Sequence, residues 1–352
     1  PAVAPRQSKD IPIRLPKTGS CMLGSHLNLS FVLRNTTAWA KMGHEIAFAQ
    51  FILQEGTPQE RKEDVGNTIT LSEQDGCYLI SGCDFSYRFD KRKGVLCSMQ
   101  KNSVEFIEKP AVLGIEKAYT DNDIKSEWRA ALYDKVKVRT KEIRVCRREE
   151  KAICIETVQT LAPLSKLPII SAKTSYTFTA DGRVRIDVSA EQAANTLYLP
   201  RFGMSFAMPE GNEYLSYYGY GPYENYIDMR HHVICGLYTG TVSEQYVPYV
   251  RPQEHGNHTG VTMAQIFDKQ GRGLMITSNG GVEFCASHFQ YENLETATHT
   301  NELKKDLLTY VRVDFGVCGN GSKSCGPDLS ERYQVGGSMQ YSFTLEPFIE
   351  RI

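Results

Sequence analysis

The chain has 352 residues, of which 41% are hydrophobic and 23% charged, a composition typical of folded globular proteins. Its 40 Lys and Arg nearly balance its 41 Asp and Glu, giving a formal net charge of -1 at pH 7. A chain this close to neutral creates no overall field that attracts nucleic acid or anionic lipid, so we expect neither partner. No run reaches the roughly 18 apolar residues needed to span a bilayer.

Alternation of apolar and polar residues, the period of a half-buried strand, dominates the sequence. The alternating runs, in chain order, are His26–Arg34, Glu45–Leu53, Ser175–Thr179, Arg183–Ser189, Gly281–Ser287, Tyr310–Phe315 and Met339–Leu345. Because no β-α-β alternation accompanies them, they predict an all-β fold, a large antiparallel sandwich.

Turn-forming residues separate several of these runs. Lys91–Gly94, Ala180–Gly182 and Gln270–Gly271 predict the tips of hairpins. Helical periodicity is confined to two short segments, Ser126–Asp134 and Glu292–Leu303. Neither is long enough to define the fold.

A polar stretch after Leu53 contains Gly and Pro and has no apolar residue, so it predicts a linker between domains. We therefore predict a β domain at residues 1–55, a linker at 56–64 and a large β domain at 65–352. The first part has room for two or three strands, too few for a stable sandwich. We expect the rest of that domain to lie upstream, since the chain also begins with Pro.

The ten cysteines contain no Cys-x-x-Cys pair, so their spacing predicts neither a zinc site nor a redox pair. We expect most of them to be buried as small hydrophobic side chains, in a fold that does not depend on disulfides. Several histidines also lack metal-ligand spacing, and we expect no metal or cofactor in this chain: His231, His232, His255, His258, His288 and His299.

Three stretches in the first half of the chain resemble motifs of family 2 β-galactosidases. Thr37–Gln50 resembles the W-A-x-x-G-H-E-x-A-x-x-Q strand pair that closes the immunoglobulin-like domain before the last domain of that family. Asp84–Ser98 resembles the first hairpin of the last domain, and Ala118–Asp123 resembles its A-P-T-D-N-D segment.

Further matches follow in the family's order. Tyr217–Asp228 is similar to Y-G-x-G-P-x-E-x-Y-x-D, and Tyr249–Asn257 is similar to Y-x-R-P-Q-E-x-G-N. Phe284–His299 and Gly319–Pro327, the latter matching G-x-x-x-x-S-C-G-P, complete a collinear set that covers nearly the whole chain.

The resemblance implies a galactose mutarotase-like supersandwich at residues 65–352, after the end of an immunoglobulin-like domain. It implies that the chain is the C-terminal part of a retaining β-galactosidase, which hydrolyses terminal β-galactosides such as lactose with two carboxyl groups. In the family both catalytic glutamates lie in an upstream barrel, which also supplies magnesium ligands, and the full-length enzyme uses magnesium and sodium bound outside this part. We therefore expect no catalytic residue in this chain, and no hydrolysis by the chain alone.

The partners implied are the upstream barrel domain or a large subunit, a galactoside substrate, and further copies of the full-length enzyme in a homo-oligomer. A cytoplasmic enzyme is the first expectation, and a periplasmic or secreted one stays open. By resemblance, the last domain forms a wall of the active-site pocket, with these substrate-binding residues: Cys325, Gly326, Pro327, Asp121, Asn122 and Asp123.

Each of these segments has a structural alternative. Cys325 stands where some members place a Trp that stacks on the sugar or aglycone, and a thiol lacks that apolar face; the alternative is an ordinary buried thiol. Asp121 and Asp123 also fit a turn stabilised by side-chain hydrogen bonds. Lys117 departs from the Arg usual in the family, which puts an inherited contact there in doubt. Tyr217–Asp228 could be a sugar platform, but a role in the framework is favoured.

The stretch Gly316–Asp328 superficially resembles a phosphate-binding loop. It fails the G-x-x-x-x-G-K-[ST] pattern because Ser322 stands where Lys belongs, and Pro327 with a following strand leaves no helix to meet a phosphate. The sequence predicts instead a loop between two strands at the rim of the sandwich.

Two other functions stay open. An aldose mutarotase on the same fold needs a His and a Glu as acid and base, for which Glu254 and His258 are the nearest pair. A free-standing sugar-binding module would hold a sugar without chemistry.

Overall fold

β-Strands make up nearly all of the regular structure in this computed structural model, which describes residues 3–15, 23–54, 56, 67–322 and 324–350. The chain divides into an N-terminal unit, Pro1–Lys62, and a sandwich unit, Glu63–Ile352. The predicted linker at residues 56–64 lies outside the described residues, apart from residue 56.

The N-terminal unit contains one antiparallel strand pair, β1 (Ser25–Val32) and β2 (Glu45–Gln54). Both strands were predicted from their alternation. In the connection between them, Gly43 has a φ of +87°, in the left-handed region that favours glycine. Among the described residues, most side chains of the pair are exposed, because two strands alone cannot bury their own faces.

The sandwich unit contains a five-stranded and a twelve-stranded sheet. The five-stranded sheet follows chain order and consists of β3 (Thr70–Gln74), β4 (Cys77–Ser81), β5 (Phe85–Asp90), β6 (Val95–Lys101) and β7 (Val104–Glu105). The strands of the twelve-stranded sheet are β8 (Lys109–Gly114), β9 (Val136–Arg148), β10 (Ala152–Pro163), β11 (Ile170–Thr179), β12 (Val184–Gln192), β13 (Arg201–Met208), β14 (Tyr214–Gly221), β15 (Ile234–Thr241), β16 (His258–Phe267), β17 (Arg272–Ser287), β18 (Thr309–Val317) and β19 (Ser338–Ile349).

The large sheet runs in the order β15-β14-β16-β17-β19-β12-β11-β10-β9 and forks at β17. The first part of β17, Arg272–Thr277, pairs with β19, whereas Glu283–Ser287 pairs with β18. β18 pairs in turn with β13, and β13 with β8. All of these pairings are antiparallel, as the sequence predicted.

Aromatic side chains fill the space between the two sheets. The rings of Phe89 and Tyr176 meet edge to face with centroids 5.0 Å apart, and those of Tyr87 and Phe178 lie 6.4 Å apart. The Tyr87 hydroxyl donates to the carbonyl oxygen of Gly182, at the tip between β11 and β12. The prediction of an all-β antiparallel sandwich is confirmed by this packing of sheet on sheet.

The predicted hairpin tips are also confirmed. Residues 91–94 join β5 to β6, residues 180–183 join β11 to β12, and residues 268–271 join β16 to β17. The C-terminal helix prediction was partly right, since α1 (Tyr291–Thr296) is followed by a short 3-10 helix, Thr300–Glu302.

The predicted helix at Ser126–Asp134 was wrong. Two 3-10 helices, Asp121–Ser126 and Tyr133–Lys135, flank a turn in which Glu127 and Leu132 have φ values of 58° and 62°. Residues in the left-handed conformation cannot continue an α-helix. Tertiary packing therefore determines this segment's conformation, although its sequence has helical periodicity. The packing centres on buried Trp128, whose indole Nε1 donates to the carbonyl oxygen of Tyr198 at 2.7 Å.

Replacing Trp128 by Phe should destabilise the protein by roughly 1 to 3 kcal/mol, because the buried indole is replaced by a smaller ring and the half-buried carbonyl of Tyr198 loses its donor. The chain has two tryptophans, and Trp39, which is 66% exposed, provides the matched control Trp39→Phe. Denaturant unfolding followed by circular dichroism measures both changes. Equal stability of the two variants would contradict the assigned role of Trp128.

Candidate functional site

The segment predicted to bind substrate divides into one buried and two accessible residues. Asp123 is buried, and its Oδ2 accepts hydrogen bonds from the Thr120 backbone N (2.9 Å), the Thr120 hydroxyl (3.0 Å) and the Lys117 ammonium (2.9 Å). Because Oδ2 of Asp123 accepts three hydrogen bonds, this carboxylate holds the segment in its conformation. Lys117 is likewise enclosed, so it balances a buried charge instead of reaching solvent.

The other two residues of the segment face outward or toward the C-terminal loop. Asp121 is exposed and lies 3.5 Å from Arg251 in an ion pair that is open to solvent. Asn122 donates from Nδ2 to the carbonyl oxygen of Asn320 at 3.0 Å. This bond joins two segments that lie 198 positions apart in the chain.

A carboxylate organises the glycine-rich loop after β18. Asp228 accepts from the backbone N of Asn320 (2.9 Å), Gly321 (2.9 Å) and Ser322 (2.8 Å), and from the Ser322 hydroxyl (2.6 Å). A Cβ on Gly319 would lie 2.6 Å from the Asp228 Cγ, so this approach requires glycine.

The same contacts explain the resemblance to a phosphate loop. Successive backbone N–H groups in such a loop form a concavity that binds an anion, and here Asp228 supplies the anion. The loop joins β18 to β19, as predicted, and the helix that follows it is a single 3-10 turn, Glu331–Tyr333. Lys323 lies outside the described residues.

Cys325, Gly326 and Pro327 lie beyond this anchored part of the loop, and all three are exposed. The alternative of a buried thiol for Cys325 is therefore wrong. Within the described part of the chain, no hydrogen bond or ion pair joins these three residues to Asp121–Asp123. The Asn122–Asn320 bond is the link between the two segments.

The expectation that most cysteines are buried was also wrong. Of the nine described cysteines, all of them free, two are buried: Cys285 and Cys318. Others lie on strands such as β9, where alternate side chains face solvent, so apolar character alone did not predict their burial. No group of three or more His, Cys, Asp or Glu in the described ranges could hold a metal ion.

The pair considered for mutarotase chemistry is not assembled. His258 is buried, and its ring nitrogens contact the side-chain oxygen of Gln245 (2.8 Å) and the carbonyl oxygen of Tyr220 (3.3 Å). Glu254 instead accepts from Nη1 of Arg201 at 2.8 Å. Because both ring nitrogens of His258 are engaged elsewhere, the ring is not placed to exchange a proton with a ligand near Glu254.

Contacts in the Tyr217–Asp228 segment favour its framework role. Glu224 accepts from the hydroxyl of Tyr249 and from the backbone N of Gly256 at 2.8 Å. Buried Asn225 accepts from the Thr259 hydroxyl at 2.7 Å. These polar side chains hold neighbouring loops together instead of forming a free platform.

The sequence analysis missed a buried charge cluster around Arg201. Its guanidinium Nε donates to Oδ2 of Asp314 at 3.0 Å, while Nη1 binds Glu254, and all three residues are buried. Burial alone would lower the pKa of Arg201, but Asp314 and then Glu254 outweigh it and raise that pKa. In the chain, Glu254 lies 53 positions and Asp314 lies 113 positions from Arg201, so no local sequence pattern indicates the cluster.

Two further buried groups, Glu283 beside this cluster and His258 on β16, have pKa values shifted in opposite directions. Burial raises the pKa of Glu283 to about 8, although Asn257 Nδ2 donates to its carboxylate. Burial lowers the pKa of His258 to about 4. Both side chains are therefore predominantly uncharged in the folded protein at pH 7.

Together these features define a large antiparallel sandwich domain with an anchored loop at its rim, preceded by strands of a second β domain. A family model described as "Beta galactosidase small chain" matches residues 81–345, and one described as "Beta-galactosidase, domain 4" matches residues 1–54. The chain belongs to the β-galactosidase small chain family.

Curated relatives are β-galactosidases about three times as long as this chain. The enzyme of Actinobacillus pleuropneumoniae is 29% identical over 94% of this chain and 32% of its own length. The enzyme of Streptococcus thermophilus is 31% identical over 90% of this chain and 31% of its own length. The chain therefore spans about a third of the curated relatives it matches.

Solved structures give more distant similarities. A putative aldose 1-epimerase of Escherichia coli K12 aligns with 81% of this chain and 100% of its own, at 10% identity and a TM-score of 0.39. An α-mannosidase of Enterococcus faecalis aligns with 86% of this chain and 32% of its own, at 11% identity and a TM-score of 0.47.

The described helices are all too short or too polar to cross a membrane.

Replacing Asp228 by Ala should free the loop, because three backbone N–H groups lose their acceptor. Hydrogen exchange at residues 320–322 should become roughly tenfold faster or more, as measured by mass spectrometry. The exposed Asp328 of the same loop gives the control Asp328→Ala, for which exchange should not change. Unchanged protection in Asp228→Ala would refute the anchoring role.

The stability of the protein should fall as the pH rises from 6.5 to 8. The folded state retains the Glu283 proton that the unfolded chain releases above its ordinary pKa of 4.5, so this contribution is lost as the pH passes through about 8. His258 has the opposite effect, but only below its ordinary pKa of 6.5, where the unfolded chain takes up a proton.

Glu283→Gln should flatten this dependence, which amounts to roughly 1 to 2 kcal/mol between pH 6.5 and 8. Denaturant unfolding at both pH values measures it, and Glu331→Gln, at an exposed position, is the control. A Glu283→Gln slope equal to that of the unchanged protein would show that Glu283 does not titrate in this range.

Proposed function

We propose that this chain is the C-terminal part of a retaining β-galactosidase that hydrolyses terminal β-galactosides such as lactose. The observation that carries the proposal is the match to β-galactosidases over 90% or more of this chain but only about a third of their length. In this proposal the two catalytic carboxyl groups lie ~5 to 5.5 Å apart in an upstream barrel, together with the magnesium and sodium sites, and this chain supplies none of them.

The role proposed for the sandwich unit is to form a wall of the active-site pocket. Asn122 and the loop it binds at Asn320 support this, because that bond unites the two segments for which the resemblance implies substrate contact. Within the wall, Asp121, Asn122, Cys325, Gly326 and Pro327 would be available to the substrate. Asp123 would hold the first segment in place from behind.

A hollow of about 560 Å³ beside the first segment gives the wall a concave surface. Its lining includes the polar side chains of Thr120, Arg129 and Arg251 and the aromatic ring of Tyr119. Polar groups beside aromatic rings are the usual composition of a carbohydrate site.

The N-terminal unit supports a role in assembly. Its strand pair and connection carry large apolar side chains that are more than half exposed: Phe31, Val32, Trp39, Met42, Ile46, Phe51 and Ile52. Apolar side chains concentrated in so small a unit favour contact with another protein surface. We propose that further strands of the same domain cover them in the complete enzyme, which would be a homo-oligomer.

The purified 352-residue chain should not hydrolyse a nitrophenyl β-galactoside above the background of a mock purification. The full-length enzyme, encoded by the complete reading frame, should hydrolyse it. Turnover by the chain alone, or none by the complete enzyme, would contradict the proposal that the catalytic groups of a β-galactosidase lie outside this chain.

In the full-length enzyme, Cys325→Trp should lower the KM for the nitrophenyl galactoside roughly threefold to tenfold, since an aromatic ring adds stacking that a thiol lacks. Cys325→Ser keeps the size of the side chain and serves as the control. Steady-state kinetics would separate KM from kcat, and a KM unchanged by the Trp would remove Cys325 from the proposed pocket wall.

A further inference from the structure

We propose that the sandwich unit contains a binding site for a neutral monosaccharide in a cavity between β8, β13, β18 and α1. The cavity has a volume of about 300 Å³, within the lower range of small-ligand pockets. Ser205 of β13, Val311 of β18 and Leu294 of α1 line it. Lys109 and Glu292 also line it and are exposed, so the cavity opens to solvent there.

The charges around the cavity cancel. Three cations and three carboxylates line it: Lys109, Arg201, Arg312, Glu116, Glu254 and Glu292. An ion of either sign would therefore meet as much repulsion as attraction, so the site favours a neutral ligand.

The cavity also contains hydrogen-bonding groups that no protein group satisfies. His255 is 5% exposed, and its Nδ1 lies 2.9 Å from the carbonyl oxygen of Gln253. A carbonyl can only accept, so Nδ1 carries the hydrogen in the neutral ring and Nε2 is an acceptor. That Nε2 is buried and has no hydrogen-bond partner in the protein.

Arg312 provides the complementary donors. Its Nε and Nη2 are buried without a hydrogen-bond partner; Nε lies 3.7 Å from Oδ2 of Asp314, and Nη2 lies 3.8 Å from a carboxylate oxygen of Glu116. Both separations form ion pairs but are too long for hydrogen bonds. A hydroxyl can accept from Arg312 while donating to Glu116 or to Nε2 of His255, so adjacent hydroxyl groups match this arrangement.

Apolar surface completes the match to a sugar. The aromatic rings of Phe206, Phe289 and Tyr291 line the same cavity. A monosaccharide presents both C–H faces and adjacent hydroxyl groups. A simple alcohol lacks the adjacent hydroxyl groups, and an inorganic ion lacks the C–H faces. The combination of cancelled charge, unpaired donors and acceptors and aromatic surface points to a neutral polyhydroxy ring.

The test uses the 352-residue chain, which is expected to lack hydrolytic activity, so binding here can be measured apart from catalysis. Titration calorimetry with galactose, glucose and sodium sulfate should give saturable binding of at least one sugar and none of sulfate. Glu116→Gln should weaken sugar binding roughly tenfold by removing the charged acceptor. Glu210→Gln, at an exposed position outside the cavity, should leave binding unchanged.

Ser205→Leu gives a second test that does not depend on charge, because the larger side chain would fill the cavity. It should abolish sugar binding while circular dichroism shows the fold intact. The proposal is overturned if neither sugar binds, if sulfate binds as well as sugar, or if Glu116→Gln and a folded Ser205→Leu both bind like the unchanged chain. Sugar binding is measured on this chain, whereas the proposed function is tested by the β-galactosidase activity of the full-length enzyme. Failure of one proposal can therefore be distinguished from failure of the other.

Discussion

The large sheet depends on the buried ion pairs that the guanidinium of Arg201 forms. This guanidinium binds Asp314 on the neighbouring strand and Glu254 on a distant loop, all away from water. Removing one member of such a cluster leaves a buried charge uncompensated, which typically costs about 3 to 5 kcal/mol. The fork at β17 brings β18 beside β13, so the charges can neutralise one another, and the loop that carries Glu254 also carries His255. One cluster thus fixes both the sheet and the floor of the cavity.

A second layer of polar contacts orders the rim of the sandwich. Asp123 binds Lys117 within its own segment, Asn122 joins that segment to Asn320, and Asp228 joins the loop around Asn320 to the segment that follows β14. The elements involved are far apart in the chain, yet each link is a single side chain that reaches a backbone group or a counter-charge. The exposed residues from Cys325 to Pro327 therefore extend from a fixed base.

The sequence predicted the strands well because alternation is local: a run such as Met339–Leu345 needs only one buried face to be recognised. It failed where tertiary contacts override the local pattern. Trp128 draws its segment into a turn, although the spacing favoured a helix. In β18 the pairing with β13 shifts register between Phe202 and Gly203, so Asp314 is buried while Phe315, the apolar member of the alternation, is 37% exposed. The Arg201 cluster could not be predicted, because its members share no spacing.

For the candidate site, the sequence located the two segments but not the roles of their residues. Motif resemblance indicated Asp121–Asp123 and the loop near Cys325, and the described contacts distinguish the residue that braces the segment from those that face outward. The loop around Asn320 carries its own built-in counter-ion, Asp228, which is present at a fixed position whatever the composition of the solvent. Dissolved phosphate or sulfate must displace the Asp228 carboxylate to reach those amides, so the conformation of the loop should not depend on the anions in solution. Its shape is also set before any ligand arrives, and little conformational entropy remains to oppose binding.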